Sequence, residues 1–185
     1  MCNYLINYEY DRFSKVSFFR GKQNLFFKDY LDFSFKNLGD TGIRELILQR
    51  PSSLDDINIL YLGVNNITYV GAAIISKYLI NNTYLKHISL ESNHIGDQGC
   101  ESLAIMLKNN SYLQSLIIGG NNITDIGALH ISESLRKNKT LKNLVFVNNN
   151  ISSISLFSFC DTLKVNKTLT RFSLSYYCND QESKI

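Results

Sequence analysis

The sequence predicts an α/β solenoid, a right-handed horseshoe with parallel strands on its concave face and helices on its convex face. Three observations lead to this fold class. Segments with the same apolar pattern begin at Ile57, Leu85, Leu113 and Leu141, each 28 residues after the previous one. Within each segment, apolar residues alternate as in a short strand. Further along, they recur every four residues, as on one face of a helix. A unit of one strand and one helix cannot bury its apolar side alone, so the copies are expected to fold as a stack.

The repeats divide the 185-residue chain into three parts. Residues 28–168 hold five repeats of about 28 residues, the first of which starts one residue further out, at Lys28. Residues 1–27 match only partly and are expected to form a degenerate N-terminal cap or zeroth repeat. Residues 169–185 form a partial sixth repeat and a tail. Because this sixth strand has no helix in the sequence, either the tail covers it, or the protein self-associates end to end there, or the chain is part of a longer one.

Each repeat begins with the predicted strand, whose inward positions follow the pattern L-x-x-L-x-L. The middle inward position carries Leu60, Ile88, Leu116, Leu144 and Phe172, and the last carries Leu62, Leu90, Ile118, Phe146 and Leu174. Strict recurrence at one period across this many copies indicates a strand with one face in the core.

An asparagine follows the strand at the same position in four repeats, namely Asn65, Asn93, Asn121 and Asn149. A buried amide both donates and accepts, so it can satisfy main-chain groups that the turn leaves unpaired. The four side chains are therefore expected to stack as a structural ladder. Lys36 and Tyr177 take this position at the two ends, which we expect to be looser.

The second half of each repeat is predicted to be helical. A small residue recurs at Gly42, Gly71, Gly99, Gly127 and Ser155, and four residues later stand Leu46, Ile75, Leu103, Ile131 and Phe159. The predicted N-caps are Thr68, Asp97, Thr124 and Ser152. Lys108, Arg136 and Lys164 near the helix ends suit the negative end of the helix dipole.

The shared pattern L-x-x-L-x-L-x-x-N-x-I is the leucine-rich repeat signature. With its 28-residue period and N-x-I-G-D-x-G turn, it resembles the ribonuclease-inhibitor-like class, with repeats similar to those of NOD-like receptors and the Ran GTPase-activating protein. NHIGDQG at 93–99 and NNITDIG at 121–127 match best. The resemblance implies a non-enzymatic module that binds a protein. It also leaves two alternatives: a GTPase-activating regulator of a small GTPase, or the sensor fragment of a NOD-like receptor.

Composition narrows the functional classes further. Hydrophobic residues make up 44% of the chain, and the net charge of +3 argues for neither nucleic acid nor an acidic membrane as the partner. No apolar run approaches the roughly 20 residues of a membrane span. The cysteines lack metal-ligand spacing, and His87, His94 and His130 fall on a strand, a turn and a helix, so no metal, cofactor or catalytic site is expected. The N-terminus lacks the features of a signal peptide, so a cytoplasmic location is expected.

The outward positions of the strands form the predicted binding surface for an unidentified protein. Exposed strand positions are normally polar, yet several here are apolar, and exposed apolar patches often mark interaction sites. The candidates are Tyr61, Val64, Ile117, Val145 and Val147, with Glu91 supplying orientation. The alternative is that these apolar residues reflect relaxed composition and touch nothing.

Overall fold

The computed structural model describes residues 30–49 and 57–175, in which strands and helices alternate strictly. The elements are β1 (Tyr30–Asp32), α1 (Gly39–Gln49), β2 (Ile59–Tyr61), α2 (Tyr69–Leu79), β3 (His87–Ser89), α3 (Gly96–Asn109), β4 (Ser115–Ile117), α4 (Asp125–Lys137), β5 (Asn143–Phe146), α5 (Ser153–Val165) and β6 (Arg171–Leu174). One strand and its following helix form a coil; coil 1 starts at β1, and coil 6 is β6. The predicted α/β leucine-rich repeat solenoid is confirmed. The predicted cap at 1–27 and the end position Tyr177 lie outside the described residues.

The six strands form one parallel sheet in the order in which they occur along the chain. Strand pairing follows the repeat, so that Leu60 is paired with Ile88, and Leu116 with Leu144. Equivalent residues of all coils therefore share one face of the sheet. Consecutive helices pack side by side on the same side of this sheet, as right-handed crossovers between parallel strands require.

The core lies between the sheet and the helix layer. Its apolar residues come from the inward strand positions and from one face of each helix, including Leu103 and Ile131, which are fully buried. In the last coils aromatic residues fill this layer. The ring of Phe159 packs at a tilt against Phe172, with centroids 4.6 Å apart, and meets Phe146 edge to face at 6.0 Å. Larger side chains thus occupy the space that leucine fills in the middle coils.

Asparagines also join the coils where each helix ends. The Nδ2 groups of Asn110, Asn138 and Asn166 donate to main-chain carbonyls of the preceding coil at 2.6–2.7 Å. Each Oδ1 accepts main-chain N–H groups two and three residues further on, as Asn138 does from Thr140 and Leu141. The turn that leads back to the next strand is thereby tied to its neighbour, and the carbonyls of the helix end gain partners.

At the helix N-termini, carboxylates link one coil to the next. Asp97 lies in the first turn of α3, and its Oδ1 accepts the N–H groups of Thr124 and Gly127 in coil 4, at 2.8 and 2.9 Å. Its Oδ2 accepts the Thr124 hydroxyl at 2.7 Å. The prediction that Asp97 caps its own helix is therefore wrong. Asp97 stands one position after the capping position, which Gly96 occupies in this repeat. From there its carboxylate reaches the N-terminus of the neighbouring helix.

The same link recurs wherever the residue types allow it. Asp40 accepts from Thr68 and Gly71 in coil 2, and Asp125 accepts from Ser152 in coil 5. Thr68, Thr124 and Ser152 also cap their own helices, accepting from the main-chain N–H two residues on, as predicted. Coil 2 has Tyr69 in place of the aspartate, and coil 3 correspondingly has Gly96 in place of the threonine. The link is thus absent between coils 2 and 3.

Within residues 30–49 and 57–175, every helix is too short or too polar to cross a membrane.

Candidate partner-binding surface

The four ladder asparagines lie in the turns after β2 to β5 and are fully buried. The Asn121 Nδ2 donates to the carbonyls of Leu90 and Gly119 at 2.9 and 3.0 Å, while its Oδ1 accepts the Ile95 N–H at 3.3 Å. Asn121 in turn donates its main-chain N–H to Asn149 Oδ1 at 2.9 Å. Each amide thus ties its own turn to the coil before it. This fixes the position at which every strand leaves the sheet, and with it the concave face.

The first position of this ladder departs from the pattern. Lys36 donates its main-chain N–H to Asn65 Oδ1 at 3.0 Å, and Asn65 Nδ2 donates to the Phe33 carbonyl at 2.9 Å. Coil 1 is therefore held by the amide of coil 2 and supplies none of its own at this position.

The concave face is built from the first and third residues of each strand, because strand side chains alternate between the two faces. The third residues are Asp32, Tyr61, Ser89, Ile117, Val145 and Ser173, which lie in register across the sheet. Neighbouring parallel strands lie about 4.8 Å apart, so side chains in this row are in contact range of one another.

Four of the six predicted contact residues lie along this face, in two separate places. Ile117 and Val145 are register partners, and Val147 lies two residues further along the same face. All three are half-buried. We call them the apolar cluster. Tyr61 stands apart, because the strand that carries the small residue Ser89 lies between it and Ile117.

The remaining candidates lie at the ends of the strands. Glu91 is half-buried two residues beyond β3, and its carbonyl accepts the Val64 N–H at 2.9 Å. Val64 is 42% exposed and has a φ of 55°, so it sits in the turn and not in a strand. The row that contains Glu91 also contains Gly119, which is buried against the Val147 carbonyl.

The first strand residues form a second concave row that the sequence analysis did not assign. It consists of Tyr30, Ile59, His87, Ser115, Asn143 and Arg171. Asn143 Nδ2 donates to Ser115 Oγ at 2.8 Å, so these two neighbouring side chains of the row are hydrogen-bonded to each other. The signal was present, since each of these residues stands two positions before a recognised outward residue and period-2 alternation places both on one face.

The electrostatics of the surface differ between its two ends. Burial raises the pKa of the Tyr61 hydroxyl, and the nearby groups of Asp32 and Tyr30 add to this, so the phenol stays neutral and can donate. The rings of Tyr30 and Tyr61 meet edge to face at 6.4 Å. Burial and the neighbouring Lys86 lower the pKa of His87, so its imidazole is neutral at pH 7. Arg171 supplies a positive charge at the other end of the sheet.

The described residues show no grouping of side chains that suits metal binding. Among them, no three His, Cys, Asp or Glu side chains come together in a way that could hold a metal ion. Cys100 is buried in α3, where desolvation and Asp97 raise the pKa of its thiol, and Cys160 is exposed on α5. His87, His94 and His130 lie in β3, in the following turn and in α4.

These features define the class of protein: a leucine-rich repeat solenoid of stacked α/β coils whose sheet presents an open, partly apolar face. The family model described as the TMOD/LMOD leucine-rich domain matches residues 41–185, and the chain belongs to this family. The comparisons give no support to the specific NOD-like receptor or Ran GTPase-activating protein type of repeat. Curated protein sequences gave no significant match.

Two solved structures are similar to this chain over about three quarters of its length. One is the actin-binding site 2 of leiomodin-1, with 28% identity and a TM-score of 0.61, covering 74% of this chain and 78% of that one. The other is the tropomodulin C-terminal domain of Caenorhabditis elegans, with 13% identity and a TM-score of 0.62, covering 74% of this chain and 84% of that one. At this low identity the second likeness concerns the fold alone.

Proposed function

We propose that this chain is a non-enzymatic module that binds actin through the concave face of its sheet. The observation that carries the proposal is the apolar cluster of Ile117, Val145 and Val147, which stands half-exposed on a sheet face that the helices leave open. Two findings support actin as the partner: membership of the TMOD/LMOD leucine-rich domain family and the 28% identity to the leiomodin-1 actin-binding site 2.

The cluster has the properties of a binding centre. Strand pairing fixes the backbone of Ile117 and Val145, and both side chains are β-branched and stiff, so little freedom is lost when a partner docks. Burying the remaining apolar surface of the three side chains contributes on the order of a few kcal/mol at about 25 cal/mol per Å². Interfaces of this kind concentrate their binding energy in a few central residues.

The polar residues around the cluster give the docking its orientation. The neutral Tyr61 hydroxyl offers a donor, Glu91 offers a carboxylate near the centre, and Arg171 offers a cation at the far end. Charges at the rim of an interface affect register and association rate more than affinity. We therefore assign the affinity to the apolar cluster and the orientation to this polar margin.

The test is binding of purified actin, both monomers and filaments, to the whole chain and to two double variants. Ile117→Glu/Val145→Glu places two charges in the cluster. Ile126→Glu/Ile154→Glu is the matched control, since these isoleucines are 63% and 62% exposed on the helical face. We expect at least a hundredfold loss of affinity for the first variant and no loss for the second, with circular dichroism verifying that both remain folded.

The outcomes separate the parts of the proposal. Failure of the unmodified chain to bind either form of actin would overturn actin as the partner. Equal binding by both double variants would overturn the concave face as the site. The alternative of a GTPase regulator predicts instead that the chain speeds GTP hydrolysis by a small GTPase, which the actin proposal does not.

A further inference from the structure

In the turns after β1 to β5, one position has a left-handed backbone conformation in every coil. The positions are equivalent in successive coils and carry Phe35, Val64, Ser92, Gly120 and Asn148, with φ between 55° and 64°. Glycine, asparagine and serine in coils 3 to 5 suit this conformation or disturb it little. Coils 1 and 2 instead place a phenylalanine and a β-branched valine there.

These two residues are unfavourable choices for the fold. A positive φ brings Cβ close to the following main-chain atoms, and a β-branched or bulky residue in this region is an outlier. Core packing does not compensate for it, because Phe35 is 75% exposed and Val64 is 42% exposed. Neither backbone preference nor burial among the described residues accounts for a large apolar side chain at either position.

The surrounding hydrogen bonds impose the conformation whatever the side chain. Phe35 donates its N–H to the Gly63 carbonyl at 3.0 Å, and Val64 donates to the Glu91 carbonyl at 2.9 Å. The Asn65 side chain fixes the residue after Phe35 through the Lys36 N–H. Strained residues persist where the structure over-determines them, and they cluster at binding sites.

We infer that Phe35 and Val64, here called the rim pair, are a contact site that inserts into an apolar cleft on actin; this inference rests on the proposed function. The rim pair borders the concave face, because Phe35 and Val64 lie in the turns directly after β1 and β2, the strands that carry the Tyr30–Tyr61 ring pair. Their N–H groups still donate to the next coil, as the strands do. The Asp32 carboxylate accepts the Ser34 N–H at 2.8 Å and is exposed at the end of β1, three residues before Phe35 in the chain. This carboxylate can pair with a lysine or arginine at the border of the cleft, while Lys36, which directly follows Phe35, is exposed as well.

Because Phe35 and Val64 are unfavourable at a positive φ, replacing them can weaken binding without destabilising the fold. Phe35→Asn/Val64→Asn introduces the residue already present at Asn148, so the fold should be as stable as before or more stable. We expect actin affinity to fall roughly tenfold or more, the scale of interface anchors. We expect the melting temperature to stay equal or rise by a few °C. Ser92→Asn is the matched control at the same backbone position of coil 3, and its actin affinity should not change.

Each result bears on the inference differently. Undiminished binding by the rim variant, with the unmodified chain binding actin, would overturn the rim pair and leave the proposed function standing. A lower melting temperature would also overturn it, because it would show that the rest of this chain covers these side chains. If the unmodified chain fails to bind actin, the proposed function and the occupant named here both fail.

Discussion

Replacing a central ladder asparagine tests how the solenoid holds its coils together. Asn121 is completely buried, and Asn121→Ala removes its side-chain bonds to Leu90, Gly119 and Ile95. The partners left behind are main-chain groups without access to water. At about 1–1.5 kcal/mol for each buried bond lost, the free energy of unfolding should fall by about 3–5 kcal/mol. That is a large share of the roughly 5–15 kcal/mol that stabilises a typical domain.

The assay is urea unfolding at pH 7 followed by far-ultraviolet circular dichroism. Asn121→Asp separates the effect of lost hydrogen bonds from that of lost volume, because it keeps the size of the side chain but turns a carboxylate toward two carbonyl oxygens. It should lower the free energy of unfolding by at least as much as Asn121→Ala does. Asn150→Ala, at an exposed asparagine of the equivalent turn region, is the control and should stay within about 0.5 kcal/mol of the unmodified chain. An Asn121→Asp variant as stable as the unmodified protein would refute the ladder argument.

Two further predictions concern the links between helix N-termini. Burial raises the pKa of Asp125, but the hydrogen bonds from Ser152 and Ser155 outweigh burial and hold this pKa below the ordinary 3.8. The stabilisation is therefore present above that value and lost as the pH falls through the folded-state pKa. Asp125→Asn should cost about 1–2 kcal/mol in urea unfolding at pH 7 and much less near pH 2, and a pH-independent difference would contradict this. Gly127→Ala should lower the free energy of unfolding by about 2–3 kcal/mol, because the added Cβ would lie 2.6 Å from Asp97 Oδ1. Gly63→Ala is the control, since its Cβ would lie 3.4 Å from the nearest atom, and it should cost under about 1 kcal/mol. Equal melting temperatures for the two variants would contradict the prediction for Gly127.

The regular part of the fold could be predicted from the sequence because every coil buries apolar side chains at the same positions. The inward-facing Leu60 must pair with the inward-facing Ile88 one period later, so the period of the sequence sets the register of the sheet. The same logic located the inward strand positions and the three helix caps. Because the pattern recurs in every copy, an exception in one copy does not change the prediction for that position.

The parts that were missed are interactions between copies that are not alike. The role of Asp97 depends on Thr124 in the next coil, and a motif read one copy at a time cannot show it. The second concave row escaped for another reason. Its members, such as Ile59, His87 and Asn143, share no chemistry, so they form no recognisable column in the aligned repeats. The candidate partner residues stay predictions, since their role depends on a second protein.

The aspartate links have a consequence for how such a chain can grow by duplication. Coil 4 both receives a carboxylate, at Thr124, and supplies one, from Asp125, so a tandem copy of it would match itself. Coil 3 supplies a carboxylate but has Gly96 at the receiving position, and a second coil 3 placed after the first would leave the Asp97 carboxylate without its hydroxyl partner. A duplicated coil therefore has to match its neighbour at the helix N-terminus, and among the described coils 2 to 5, coil 4 is the one whose two faces are complementary.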